Sequence, residues 1–89
     1  MIQTQVTIIN KLGLHARAAA KLVGCTSSFS SSIHAGKDGK MVDAKSIMSV
    51  MMLAAGKGTV LDLQIDGSDE DAALDALKSL IANRFDEAE

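Results

Sequence analysis

Two stretches near opposite ends of this sequence alternate with a period of two. Ile2, Thr4, Val6 and Ile8 alternate with Gln3, Gln5 and Thr7, and Leu61, Leu63 and Ile65 alternate with Asp62 and Gln64. That period belongs to a strand with one buried face. Both segments therefore call for a sheet with a covering layer on one side. Between them, Ala16, Ala19, Leu22, Val23 and Thr26 follow the helical period and give a helix from Ala16 to about Gly24 a core face.

The rest of the chain fills in the order of elements. Asn10 to Gly13 reads as a loop, and Ser27 to Ser32 as a serine-rich connector around Phe29. Asp38-Gly39 between two short runs, 32–37 and 40–43, is the pattern of a type I′ hairpin. Ser46 precedes a short helix, Ile47 to Ala54, which Gly56 is expected to stop. Ser68 opens a last helix whose Asp69, Glu70 and Asp71 stabilise its positive end. Leu74, Leu77, Ile81 and Phe85 form its expected buried stripe. The order is β-α-β-β-α-β-α, an α+β arrangement of one sheet with helices on one face. The pattern leaves the strand order open.

Length and charge narrow the function. The 89 residues fit one domain, 1–89, too small to enclose a large substrate, so chemistry belongs at its surface. A net charge of −2 and two aromatic residues, Phe29 and Phe85, argue against nucleic-acid binding. No apolar run approaches the roughly 20 residues of a membrane helix. Met1 to Val6 does not read as a signal peptide. One cysteine, Cys25, allows no internal disulfide. A cytoplasmic protein is expected, with no cofactor and no metal.

His15 stands where a loop runs into a helix. A helix start offers unpaired N–H groups and partial positive charge, which suit a phosphoryl group. Arg17, two residues on, adds a guanidinium shaped for phosphate oxygens. Imidazole, with an ordinary pKa of about 6.5, is substantially neutral and nucleophilic at cell pH. By local sequence alone, the commoner use of such a histidine is a solvent-exposed helix cap.

The residues around it resemble a known family. Asn10-Lys11-Leu12-Gly13-Leu14-His15-Ala16-Arg17 is similar to the active-site motif of HPr, the histidine-containing phosphocarrier of the phosphoenolpyruvate phosphotransferase system. Lys45-Ser46-Ile47-Met48-Ser49-Val50-Met51-Met52-Leu53-Ala54-Ala55 resembles the family's second motif, around a regulatory serine. The resemblance spans the whole chain. It implies an HPr-like open-faced β-sandwich: a four-stranded antiparallel sheet, order 1-4-2-3, with three helices on one face. It also implies that phosphorylated Enzyme I phosphorylates Nδ1 of His15, that Arg17 pairs with the phosphoryl group, and that an EIIA-type protein accepts it. Ser46 would be a site for an ATP-dependent HPr kinase/phosphorylase. The protein would act as a monomer. One departure is Ala18, where many relatives carry proline, so a slightly looser helix start is expected. The run Ala16-Arg17-Ala18-Ala19-Ala20 and the acidic ending Arg84-Phe85-Asp86-Glu87 resemble the nitrogen-related branch of the family.

The second helix gives an independent clue. From Ser46 to Ala55 only Ser46 and Ser49 are polar. Val50 and Leu53, with Ala54, suit the side against the sheet. Ile47, Met48 and Met51 are left outward, with Met52 at the margin. Exposed apolar clusters mark docking sites, and methionine adapts to several partners. Other candidates are weaker. Gly56-Lys57-Gly58-Thr59 lacks the spacing of a phosphate-binding loop and reads as a helix stop before a strand. Cys25 reads as a small buried hydrophobe and His34 as structural or solvated, without zinc spacing. Besides a phosphocarrier, the chain fits a non-catalytic regulatory module on the same fold.

Overall fold

The computed structural model describes all residues, Met1–Glu89. The elements are β1 (Ile2–Thr7), α1 (Ala16–Ser27), β2 (Ser32–Lys37), β3 (Lys40–Asp43), α2 (Ile47–Met52), β4 (Val60–Asp66) and α3 (Glu70–Ala82), then a 3₁₀ turn, Arg84–Asp86. The sheet is antiparallel throughout, in the order β1-β4-β2-β3. In register, Ile2 and Ile33 both face Ile65 across their ladders, and Val6 faces Leu61. The expected architecture is therefore what forms. Asp38 and Gly39 both take positive φ, 54° and 84°, as a type I′ hairpin requires.

Leu61, Leu63 and Ile65 are buried from β4 and Ile33 and Ala35 from β2, and the helices add Ala18, Ala19, Leu22, Val50, Ala73, Leu77 and Ile81. The opposite sheet face carries Gln3, Gln5, His34, Asp62 and Gln64 beside the apolar Met41 and Val60, and there Gln5 Nε2 donates to Asp62 Oδ1 at 2.8 Å. Phe85 is fully buried. Burying a side chain of that size contributes about 1.5–3 kcal/mol.

Several local expectations are corrected. Helix α1 runs three residues beyond Gly24, to Ser27. Ala16 is exposed, and Ala18 takes its place in the core with Ala19, Leu22 and Thr26. Helix α2 ends at Met52 with Leu53 as its C-cap, two residues short of the expected Ala54, and Ala54 itself adopts the left-handed conformation, φ 51°. Ala54 is thereby turned out to solvent, and Ala55 is buried instead. Ala73 carries the α3 stripe with Leu77 and Ile81, while Leu74 is half-buried. Phe85 joins the core from the 3₁₀ turn, not from α3.

The cap of α3 is Asp69, one residue later than Ser68, yet its carboxylate does not cap the helix. It turns back to the connector before β2. Oδ2 accepts from Ser30 N at 2.9 Å and Ser30 Oγ at 3.2 Å. Oδ1 accepts from Ser31 N at 2.9 Å and from Ser31 Oγ. The hydroxyl of Ser31 and then the amide of Ser30 hold the Asp69 carboxyl down to about 2, from 3.8. A carboxyl depressed by folding contributes stability above its unfolded pKa and loses it as pH falls through the folded value. Asp69→Asn is therefore expected to melt earlier than wild type at pH 7. The difference should shrink from about pH 4 downward and vanish below about pH 2. Thermal melts across that range check it, and a constant difference would refute the assignment.

Candidate functional site

The loop that leads into α1 is fixed by its own polar groups. Asn10 is fully buried, and its Nδ2 donates to Gly13 O at 2.8 Å. Gly13 sits at φ 66°, a conformation glycine adopts without steric cost. Leu14 then donates its N–H to Ala55 O at 2.8 Å, which ties the loop to the exit of α2. His15 follows as the N-cap of α1, in extended conformation, and its side chain makes no capping bond to the helix. The first-turn N–H groups are thus free of any side-chain cap, and the imidazole points elsewhere.

It points into an open cleft of about 820 Å³, lined by Lys11, Leu12, His15, Ala16, Arg17 and the tail 86–89. Arg17 is exposed on this wall and engaged in no ion pair. The sequence reading of His15 and Arg17 as neighbours at one helix start agrees with this placement. The cleft combines an imidazole, a guanidinium and a helix N-terminus. Together these can hold a transferable anionic group at the surface.

Ser46 is not part of this cleft. It caps α2, its Oγ accepting from Ser49 N at 3.3 Å. Val50 and Leu53 are buried as expected, while Ile47, Met48 and Met51 are exposed. Met52 is 66% exposed, so it belongs to the outer face rather than its margin. Met48 is 74% exposed. Cys25 is half-buried, and burial pushes its thiol up. His34 is exposed on β2. Gly56 to Thr59 form a turn into β4, with Gly58 N donating to Ile8 O at 2.7 Å.

Sequence reasoning missed two contributors. Leu12 is 65% exposed at the cleft and extends its apolar rim. The C-terminal tail closes one side of the cleft: Glu87 contacts Nε2 of His15 through Oε2 and accepts from Asn10 Nδ2 through Oε1 at 2.8 Å. These bonds, the one from Asn10 first, hold the Glu87 carboxyl below its ordinary range. The tail reaches there through Arg84, Phe85 and Asp86, three consecutive non-glycine residues at φ 55°, 53° and 63°. Each such residue costs roughly 1–2 kcal/mol. No local pattern announces this turn, because none of the three is the glycine that would mark it.

Known proteins resemble the chain over its full length. The family model described as the PTS HPr component phosphorylation site matches residues 2–83. The phosphocarrier protein HPr of Cupriavidus necator is 58% identical over 89 residues, covering 100% of both chains. That of Pseudomonas aeruginosa is 59% identical over 86 residues, 96% of each. A crystal structure of HPr-C-His from Thermoanaerobacter tengcongensis superposes with a TM-score of 0.95 at 46% identity, covering 100% of both chains.

Proposed function

Because the chain belongs to the HPr family of phosphotransferase-system phosphocarriers, we propose that His15 carries the phosphoryl group on Nδ1. Phosphorylated Enzyme I is its donor and a histidine of an EIIA-type protein its acceptor, in the cytoplasm and with a monomeric carrier. The observation that carries this reading is the position of His15. Its ring lies in an open cleft at the start of a twelve-residue helix, beside the unpaired Arg17. An exposed carrier atom is what transfer between two proteins demands. Arg17 and the first-turn N–H groups face the charge of the moving group, so they act by positioning and electrostatics. Incubation with Enzyme I and phosphoenolpyruvate, then peptide mapping, tests the assignment. An acid-labile, base-stable adduct on His15 is expected, since a phosphoramidate breaks when its nitrogen is protonated. A label elsewhere overturns it.

Docking falls to Ile47, Met48, Met51 and Met52, reached from the His15 loop through the Leu14–Ala55 hydrogen bond. Met48→Asp is expected to leave stability within about 0.5 kcal/mol of wild type, as for other surface substitutions. Enzyme I affinity should fall by tenfold or more, because the charge would be stranded in an apolar contact. Calorimetric titration with Enzyme I checks it, and unchanged affinity would return α2 to a purely structural role. A phosphate on Ser46, the cap of this helix, would place about −2 charge beside Ile47 and Met48. A kinase acting there would weaken docking by the same logic.

A further inference from the structure

We propose that Glu87 is a positioning residue for His15, holding the proton on Nε2 so that Nδ1 keeps its lone pair for phosphorus. The inference rests on His15 being the carrier and adds a residue that the family model, ending at 83, does not reach.

The argument starts from the carboxylate. Glu87 is ionised at neutral pH, since its hydrogen bonds to Asn10 and then His15 hold its pKa below the ordinary value. An ionised carboxylate accepts hydrogen bonds and donates none. Its contact with His15 through Oε2 therefore requires a proton on Nε2. In the neutral ring that leaves Nδ1 as the unprotonated nitrogen. The second oxygen, Oε1, is held by Asn10 Nδ2 at 2.8 Å. The other Nδ2 proton goes to Gly13 O at 2.8 Å, so the buried Asn10 amide is fixed in one orientation. Asn10, Glu87 and the ring thus form a chain from the core to the imidazole. The carboxylate serves its two neighbours through separate oxygens, and both of those positions must be acceptors.

The tail is built to deliver this group. Phe85 is buried and Asp86 receives Lys21 Nζ at 3.2 Å on one side of Glu87. On the other, Lys11 N donates to Glu89 O, and Lys11 Nζ pairs with the Glu89 carboxylate at 3.4 Å. Three consecutive left-handed residues turn the chain to reach this position. Backbone strain retained beside a reactive side chain is a mark of a functional constraint.

The transfer step balances with this arrangement. The Nδ1 lone pair forms the new N–P bond as the donor's bond to phosphorus breaks, its electron pair leaving with the donor atom. The proton stays on Nε2. The imidazole gains one formal positive charge, which the Glu87 carboxylate faces. Onward transfer reverses these changes.

The test uses Glu87→Gln and Glu87→Ala in the full chain. Gln puts an amide donor where one of the two acceptor oxygens stood, and Ala removes both. Long-range ¹H–¹⁵N spectra of the neutral imidazoles report the tautomer without any partner protein, and exposed His34 supplies an internal reference. In wild type, His15 should show protonated Nε2 and unprotonated Nδ1, with more bias than His34. In both variants, its two nitrogen shifts should move toward the His34 pattern. Single-turnover phosphorylation by Enzyme I should slow by on the order of tenfold, the lower end of what losing the carboxylate behind a metal-bound histidine costs. Unchanged tautomer bias in both variants overturns the proposal, as does faster transfer, which would make the tail a mask over the histidine. Labelling at a residue other than His15 would instead defeat the carrier reading, an outcome the partner-free spectra keep distinct.

Discussion

His15→Ala is expected to abolish phosphoryl acceptance from Enzyme I while leaving the protein folded. The two halves of this result have different origins. Acceptance needs a nitrogen lone pair at the cleft. His34 is exposed on β2, outside the cleft, and so cannot substitute. The fold has little stake in the ring, which makes no capping bond to α1 and belongs to no core cluster. Asn10 keeps its bonds to Gly13 and to Glu87 Oε1 when the ring is removed. The ring's one side-chain contact, to Glu87, is lost with it, so a small fall in stability is expected and not unfolding. Acid-labile label and a thermal melt, measured together, check it. Normal labelling of a folded His15→Ala would defeat the central reading. Loss of folding would show that the ring is structural.

The sheet was legible because its signals are local. Period-two alternation in β1 and β4, and the Asp38-Gly39 turn, are decided by neighbouring residues, so they persist in the tertiary structure. Strand order was not legible from pattern, since connections of this length allow several arrangements, and it came from the family resemblance. The misplaced details share a cause. Ala16 and Ala18 are equally apolar and equally helical, so only the direction from which α3 and the sheet approach decides which is buried. Leu74 and Ala73 pose the same choice on α3. Ala54 follows α2 in a left-handed conformation that sequence rules assign to glycine, so the stop was sought at Gly56.

The candidate site divides in the same way. His15, Arg17 and the methionine face of α2 were legible as candidates because each lies within one short motif. Glu87 was not found, because its partners Asn10 and His15 lie more than seventy residues away in sequence. The acidic ending was noticed as a mark of family branch. The fold gives its second carboxylate a place against the imidazole.

Gly13→Ala is expected to damage stability and transfer together, and Gly39→Ala stability alone. Both glycines have positive φ, 66° and 84°. An alanine at either place therefore incurs the left-handed cost, roughly 1–2 kcal/mol. Their surroundings differ. A Cβ on Gly39 would meet nothing within 4 Å, whereas on Gly13 it would stand 2.4 Å from Ala55 O and 2.7 Å from Gly56 Cα. Those are backbone atoms, held by the Leu14–Ala55 hydrogen bond of 2.8 Å, and they cannot swing aside as a side chain would. Overpacking of this kind adds about 1–3 kcal/mol. The sum, roughly 2–5 kcal/mol, is a large part of a small domain's stability. At about 4–8 °C per kcal/mol, the melting midpoint should fall by about 10 °C or more. Molecules that stay folded must move the loop away from Ala55, carrying His15 with it, and a shift of about 1 Å can cost 10²-fold in rate. Single-turnover transfer in cold, folded samples reads that second effect. Equal melting losses for the two variants, with transfer intact in both, would show that the loop is not wedged against α2 and that His15 is positioned by other means.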